Sequence, residues 1–271
     1  VFFTLIYFYY YKGGDTLSYF YSAVSMSNLA RTDIGAYLTV LFGENSLEHR
    51  NLFTLATGYP YSYVYFDSHT FSVIRWISPL VILAMNSYLI TTVVLASISY
   101  AGVWKAYLTF VGYFPNLRSK FAIAFLYMPS VIFWGSAIMK DTFTFSATCF
   151  WVHCVDEFFF KRRGYFSNVA GMILSALVLI IVKPYIFMAL FPATVLWLLY
   201  FRVAKMRNLL MKFTILPVTL TLMLGTSLLV LKSLGSELDK FSLDNSLRTI
   251  EVIQSDMKRS EQYGNNYFDI G

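Results

Sequence analysis

Three places in the sequence combine ionisable side chains with the end of an apolar run. Asp15 follows two glycines after the aromatic stretch 1–11, Lys140 and Asp141 separate two apolar stretches, and Lys183 separates two others. A carboxylate can take a proton from an acceptor hydroxyl, and a cation or a divalent metal can stabilise a departing phosphate. If folding brings these places together, the residues predict a reaction on a phosphate-bearing substrate.

Each of these residues also has a structural interpretation, and the sequence leaves both open. Asp15 can cap the helix pattern that follows it, and Asp141 can cap a helix that begins at Thr142. Lys140 can extend its ammonium to a lipid surface, and Lys183 can act as a positional anchor. The position of these residues relative to a membrane therefore decides how they are interpreted.

Arg75 favours a functional role, because an arginine in an apolar run requires an anionic partner such as a phosphate. Asp67 and His69 are interpreted as ordinary loop polar groups, with metal ligation as the alternative. His153, in the middle of an apolar run, is predicted to be a hydrogen-bonded interior residue. The charged stretch 156–161 is expected to contain residues that pair with each other.

The composition predicts a polytopic, all-α membrane protein. Of the 271 residues 57% are hydrophobic and only 13% are charged, against about 25% charged in soluble domains. The mean hydropathy is +0.57. The net charge of +6 is better explained by basic cytoplasmic loops than by nucleic acid, which we do not expect as a partner.

Apolar runs of roughly 20 residues predict about seven membrane spans. They are 1–11, 88–112, 121–139, 142–160, 166–182, 185–201 and 213–231. Because the chain begins inside an apolar run, we expect it to be part of a longer polypeptide. The connections 105–120, 161–163 and 202–212 are basic, which favours a cytoplasmic location. The connections at Lys140 and Lys183 are then extracytoplasmic, as is the long segment 12–87.

The segment 12–87 is predicted to contain interfacial amphipathic helices rather than a flexible loop. We predict helices over 16–30, over 34–42 with Asp33 as the cap, and over 45–57 with Asn45 and Glu48 in a capping-box-like spacing. They are followed by a half-embedded helix over 71–87 that ends in a turn at Asn86. The alternative is that 71–87 crosses the bilayer, which would place every later loop on the opposite side. Residues 1–232 would form the transmembrane domain, and 233–271 an extracytoplasmic tail with a helix packing on the outer face.

Several common motifs are absent from the sequence. There is no Walker A loop, no G-x-S-x-G elbow, no H-E-x-x-H and no Rossmann fingerprint. What remains is one or two acids and several cations at a predicted lipid-level face, which suits a reaction on a lipid-linked phosphate.

Two strings carry a resemblance to a known class. A first span that ends in a short loop with Asp, as in Tyr11-Lys12-Gly13-Gly14-Asp15-Thr16, resembles the multi-spanning glycosyltransferases of the GT-C class. The string from Pro129 to Thr142, PSVIFWGSAIMKDT, is similar to a segment of uncharacterised bacterial membrane proteins of that kind. These enzymes use polyprenyl-phosphate sugars at the extracytoplasmic face.

The resemblance implies roles for five residues. Asp15 would be the catalytic acid of the first loop, acting as base on the acceptor, and Asp141 would match the acidic position of the second loop. Asp141 would help to hold a metal or the acceptor. If a metal is bound, the two carboxylates would hold a divalent Mg or Mn ion, although Asp15 is followed by Thr16 where the class often has a second acid. Lys140, Lys183 and Arg75 would face the lipid phosphate.

The sequence therefore predicts hexosyl or pentosyl transfer from a lipid-linked donor at the outer face of the plasma (inner) membrane. One alternative is a polysaccharide polymerase of the Wzy or EpsG type. Another is a non-catalytic membrane subunit that docks protein partners in an envelope assembly. A transporter is disfavoured because the chain shows no duplicated pattern.

Overall fold

The computed structural model describes residues 2–11 and 13–204, together with Pro217, Thr221 and Gly225. Every regular element in this part of the chain is helical, which confirms the all-α prediction. The chain divides into two compact units, 1–194 and 195–271. The second unit is described only for 195–204 and the three single residues. All five candidate site residues lie in the first unit.

The first helices in chain order are α1 (Phe2–Leu5, followed by a π-helical turn, Ile6–Tyr11), α2 (Asp15–Thr32), α3 (Ile34–Phe42), α4 (Leu47–Arg50), α5 (Ser62–Tyr65) and α6 (Ser68–Leu83). They are followed by α7 (Tyr88–Tyr113), a 3-10 turn (Pro115–Leu117), α8 (Arg118–Ala122, then a π-helical turn, Ile123–Tyr127), α9 (Pro129–Gly135), α10 (Lys140–Val155, then a π-helical turn, Asp156–Phe160), α11 (Tyr165–Val182) and α12 (Pro184–Ala204).

Two of the described helices, α7 and α11, are long and apolar enough to cross a membrane. They coincide with the predicted spans 88–112 and 166–182. The seven-span arrangement is not confirmed. The predicted span 213–231 and the tail 233–271 lie outside the described residues, apart from the single residues within 213–231.

The other predicted spans differ from continuous apolar helices for physical reasons. The span 121–139 is broken, because the backbone is extended at Met128 and Pro129 begins a new helix. The span 142–160 is helical throughout, but α10 and its π-helical turn carry two charged residues at each end. The predicted span 185–201 lies within α12, and the apolar stretch Pro184–Tyr200 of that helix is shorter than the two candidate spans.

The helix predicted over 16–30 is a core helix and not an amphipathic one. Buried side chains of α2 cover most of its circumference and include Ala23 and Met26, each with no exposed surface. The neighbours α3 and α6 pack against α2, and Tyr65 and Phe71 are buried in the same core. Each apolar side chain gains stability by leaving water, so α2 forms the centre of this part of the molecule.

The sequence signals for helix starts and ends predict some helix boundaries correctly and others wrongly. Asp33 caps α3 by accepting from the Ala36 amide at 3.0 Å, as predicted, and Asn86 has the positive φ of a tight turn. The helix predicted over 45–57 is only one turn long, and Ser46 caps it instead of Asn45.

The second half of α7 runs parallel to α10, in a register fixed by hydrogen bonds. The Ser99 hydroxyl donates to the Thr142 carbonyl at 3.1 Å, and the Ser146 hydroxyl donates to the Ser99 carbonyl at 2.7 Å. Thr109 bonds His153 at 2.8 Å further along the pair, which confirms His153 as a hydrogen-bonded interior residue. Helix α11 packs antiparallel to α10. Its Gly171 lies close to α10 side chains.

The first turn of α2 meets the segment that leads into α10. The Ile138 amide donates to the buried Thr16 hydroxyl at 3.2 Å, and the same hydroxyl bonds the Tyr88 phenol at 3.1 Å. The helix starts at Asp15 and at Lys140 are therefore brought to the same level of the first unit. This contact unites stretches that are more than a hundred residues apart in sequence.

Candidate functional site

Two ion pairs lie side by side at the start of α10. Lys140 Nζ is 3.0 Å from Asp67 Oδ2, and Lys183 Nζ is 2.5 Å from Asp141 Oδ1. We call these four residues the junction cluster. The lysine side chains are about one fifth exposed, and the Asp141 side chain, at 43%, is the most exposed of the four. A ligand therefore reaches the carboxylate of Asp141 more easily than the other charges.

Each member of the junction cluster is positioned by a helix end. Asp67 caps α6, accepting from the His69 amide at 3.2 Å and from the Thr70 hydroxyl. Lys140 and Asp141 form the start of α10, where an acidic residue is favoured by the helix dipole. Lys183 ends α11, and its amide donates to the Leu179 carbonyl at 2.9 Å.

The capping interpretation of Asp15 and Asp141 does not hold. Gly14, with φ of 84°, precedes α2, and Asp15 is the first helical residue. Met139 occupies the capping position of α10, so the helix begins two residues before the predicted start at Thr142. Both carboxylates lie in a first helical turn and not at the cap.

Asp15 faces the same polar region as Asp67. Burial first, then the negative charges of Asp15 and Asp67, raise the pKa of the Tyr19 hydroxyl. Both carboxylates are therefore within electrostatic range of this phenol, while Asp15 itself is exposed. Asp15 and Asp67 thus act on the same phenol, but Asp15 takes no part in the two ion pairs of the junction cluster.

The electrostatics of Asp67 reflect its two partners. Burial by itself would raise the pKa of the Asp67 carboxyl, but the hydrogen bonds from Thr70 and Lys140 and the charge of Lys140 outweigh it and lower the pKa. Asp67 is therefore held as a carboxylate that fixes the position of Lys140.

The Asp141 carboxylate lines a cavity of about 440 Å³ between α9 and α10. Trp134, half exposed, and Ser130 line the same cavity. Next to it is an apolar groove of about 230 Å³ between α7 and α9, which shares Val131 and Phe145 with the cavity. An acid, an aromatic ring and a neighbouring apolar groove are the elements that a sugar joined to a lipid would contact.

Arg75 does not join the junction cluster. It lies eight residues after Asp67 on α6, about 12 Å along the axis at the helical rise. Its guanidinium donates to the Val40 carbonyl at 2.9 Å, to the Gly43 carbonyl and to Asn45 Oδ1 at 2.7 Å. The anionic partner predicted for Arg75 is replaced by these oxygens at the end of α3.

A second group of charges lies at the other end of α10. Fully buried Asp156 accepts from the Tyr113 hydroxyl and pairs with Lys161 at 2.8 Å, and Glu157 pairs with the same lysine. This confirms the predicted pairing within 156–161. Asp156 is fifteen residues from Asp141, about 22 Å along the helix. The basic residues Arg162 and Arg163 are exposed at that end.

Sequence reasoning missed three contributors to the site. Asp67 was treated as a loop residue, although its position before a helical pattern is a capping signal. His69 joins α6 to α11 through the Ile181 carbonyl, 2.5 Å from Nδ1. Nothing in the sequence singled out Trp134, since only tertiary packing places it beside Asp141.

Among the described residues, no group of three or more His, Cys, Asp and Glu side chains is arranged to hold a metal ion. The chain matches no known family model, no curated protein and no solved structure.

Proposed function

We propose that this protein is a membrane glycosyltransferase that moves a sugar from a polyprenyl-phosphate donor to an acceptor hydroxyl. The observation that carries the proposal is the position of Asp141, which lines a cavity with Trp134 and is paired with Lys183 at 2.5 Å. Carboxylate, aromatic face and ammonium are the groups needed to deprotonate an acceptor, to stack on a sugar and to stabilise a phosphate.

The proposed reaction needs a base for the acceptor hydroxyl and a cation for the leaving phosphate, and Asp141 and the two lysines supply them. The acceptor oxygen attacks the anomeric carbon and loses its proton to the Asp141 carboxylate. The bond between that carbon and the phosphate oxygen breaks, and the oxygen keeps the electron pair. The donor phosphate first takes the Lys183 ammonium from Asp141, which frees the carboxylate to accept the proton. Lys183 then stabilises the charge that develops on the leaving polyprenyl phosphate, with Lys140 contributing from the neighbouring ion pair.

A divalent Mg or Mn ion on Asp15 and Asp141 is the other possible source of positive charge. The Asp141 carboxylate is already held by the Lys183 ammonium at 2.5 Å, so these residues fit a lysine better than a metal. No step of the proposed reaction passes through a metal.

The membrane orientation is also a proposal. Helices α7 and α11 are candidate spans, and the exposed basic residues Arg118, Lys120, Arg162 and Arg163 lie at the end opposite to Asp141. Short basic loops remain in the cytoplasm, which supports an active face on the extracytoplasmic side of the inner membrane.

A second candidate function is a non-catalytic subunit of an envelope assembly. It is favoured by one observation: both lysines of the junction cluster are neutralised by Asp67 and Asp141. In that case the two ion pairs serve to hold α6, α10 and α11 together.

The test is transfer from synthetic donors by the purified protein in nanodiscs. Release of undecaprenyl phosphate is measured with a panel of undecaprenyl-phosphate hexoses and pentoses, for the wild type, Asp141→Asn and Asp33→Asn. Asp33 is the matched control, because asparagine caps a helix as well as aspartate does and α3 lies outside the site. Loss of release in Asp141→Asn alone supports the transferase. Equal release in all three variants supports the structural subunit.

A further inference from the structure

A second apolar groove lies on the other side of the contact between α7 and α10. Its volume is about 290 Å³, and α7, α10 and α11 line it. The groove beside α9 and this one share Ser99. They are separated by the hydrogen bonds that Ser99 makes with Thr142 and Ser146.

The helices at this boundary are in close contact, so the two grooves are separate compartments. A Cβ added at Gly102 would be 2.4 Å from the Ser146 carbonyl oxygen, so the two backbones nearly touch. One hydrocarbon chain cannot pass from one groove to the other through this contact.

The walls of the second groove indicate what it holds. They include α7 and α11, the two described helices that could cross a membrane, with α10 between them. Their rim residues Ile98 and Leu174 are 57% and 60% exposed. If α7 and α11 cross the membrane, the groove between them opens towards lipid hydrocarbon, and an acyl chain is the occupant that its apolar lining favours.

The groove ends near the charged first turn of α10. It is lined from Phe150 to Thr142, about 12 Å along α10, and Thr142 directly follows Asp141 in that turn. A lipid whose chain lies in the groove would thus present its headgroup at the carboxylate that acts as the base.

We propose that the groove between α7 and α11 binds the hydrocarbon chain of a lipid acceptor, so that the sugar passes from one membrane lipid to the headgroup hydroxyl of another. This inference rests on the proposed transferase function and specifies its acceptor class. The donor chain occupies the groove beside α9, and the acceptor chain occupies the groove beside α11.

Two measurements test the inference. The first is native mass spectrometry of the detergent-purified protein with added dioleoylphosphatidylglycerol, whose headgroup carries hydroxyls. Leu174→Trp and Ala101→Trp narrow the groove from its two walls at exposed positions. Ile173→Trp is the matched control, because Ile173 is 57% exposed but does not line the groove.

We expect both groove variants to weaken lipid retention at least about tenfold, which corresponds to ~1.4 kcal/mol of lost contact, and Ile173→Trp to retain the lipid. Equal retention in all variants would overturn the inference.

The second measurement compares acceptors with the donor that shows turnover. Dioleoylphosphatidylglycerol should accept the sugar, glycerol should not, and Leu174→Trp should raise KM for the lipid more than it lowers kcat. Equal transfer to glycerol would overturn the lipid acceptor and leave the transferase intact. Absence of undecaprenyl phosphate release with every donor would instead reject the transferase itself.

Discussion

The backbone amide of Ile138 donates a hydrogen bond to the hydroxyl of Thr16 across 3.2 Å. The amide immediately precedes Met139, the cap of α10, and the hydroxyl lies in the first turn of α2. Through this contact the start of the chain supports the helix end that carries Lys140 and Asp141. Its removal is therefore expected to affect both stability and the site.

Thr16→Val keeps the side-chain shape but leaves the buried Ile138 amide and Tyr88 hydroxyl without this partner. We expect the free energy of unfolding to fall by about 1–3 kcal/mol, the cost of an unsatisfied buried polar group. Denaturant unfolding in detergent measures the change. Thr32→Val is the control, because Thr32 is exposed at the end of α2. A loss as large in the control would contradict the role of the contact.

Acidification should remove the contribution of Asp67. Because its pKa is lowered in the folded protein, Asp67 stabilises the fold above its unfolded pKa, ~3.9, and this stability is lost as the pH falls through the folded value. Unfolding measured between pH 2 and 7 should show a steeper decline below about pH 4 in the wild type than in Asp67→Asn. Parallel curves would show that Asp67 gains nothing from Lys140 and Thr70.

Gly102 allows α7 and α10 to approach closely, and an added methyl group there should force them apart. Gly102→Ala is expected to destabilise the protein by about 1–3 kcal/mol. Gly112→Ala, on the same helix with nothing within 4 Å of an added Cβ, should instead gain up to about 1 kcal/mol of helix propensity. Thermal unfolding of the two variants gives the comparison, and a tolerated Gly102→Ala would refute the close contact.

Lys183 should matter more for turnover than a divalent ion does. Lys183→Gln is expected to lower kcat by about 10²–10³, the usual effect of removing one charge-stabilising donor. Lys120→Gln, at the opposite end of the first unit, should leave kcat unchanged. EDTA treatment should also leave it unchanged. Activity that is lost in EDTA and restored by Mg would contradict this prediction and would indicate that Asp15 and Asp141 bind a metal ion.

The two ends of α10 should face opposite sides of the membrane. Cys149 and Cys154 are buried, and both are replaced by alanine so that single cysteines can be introduced at exposed Ser167 and at exposed Ser68, which follows Asp67, the partner of Lys140. A membrane-impermeant maleimide added to intact cells should label the cysteine at 68, and the cysteine at 167 should react only after permeabilisation. Labelling of both from one side would overturn the proposed orientation.

Much of the local structure followed from the sequence. The apolar runs that became α7 and α11 are continuous and carry few charges, so length and composition were sufficient. Asp33 before Ile34 and the turn at Asn86 were also predicted correctly, because capping and tight turns depend on a few neighbouring residues. The prediction of a continuous span over 121–139 was wrong. The apolar composition favoured one helix there, although Pro129 disfavours a helical backbone at the preceding residue.

The sequence by itself determined the helical class, two apolar helices and the residues able to do chemistry. The tertiary structure decided which of them meet: it paired Asp67 with Lys140 and Asp141 with Lys183, moved Arg75 to the end of α3, and buried α2 in the core. The physical reason is that helix propensity and apolar patterning act over a few turns. An ion pair, in contrast, depends on the separation of two side chains, which packing between distant helices sets.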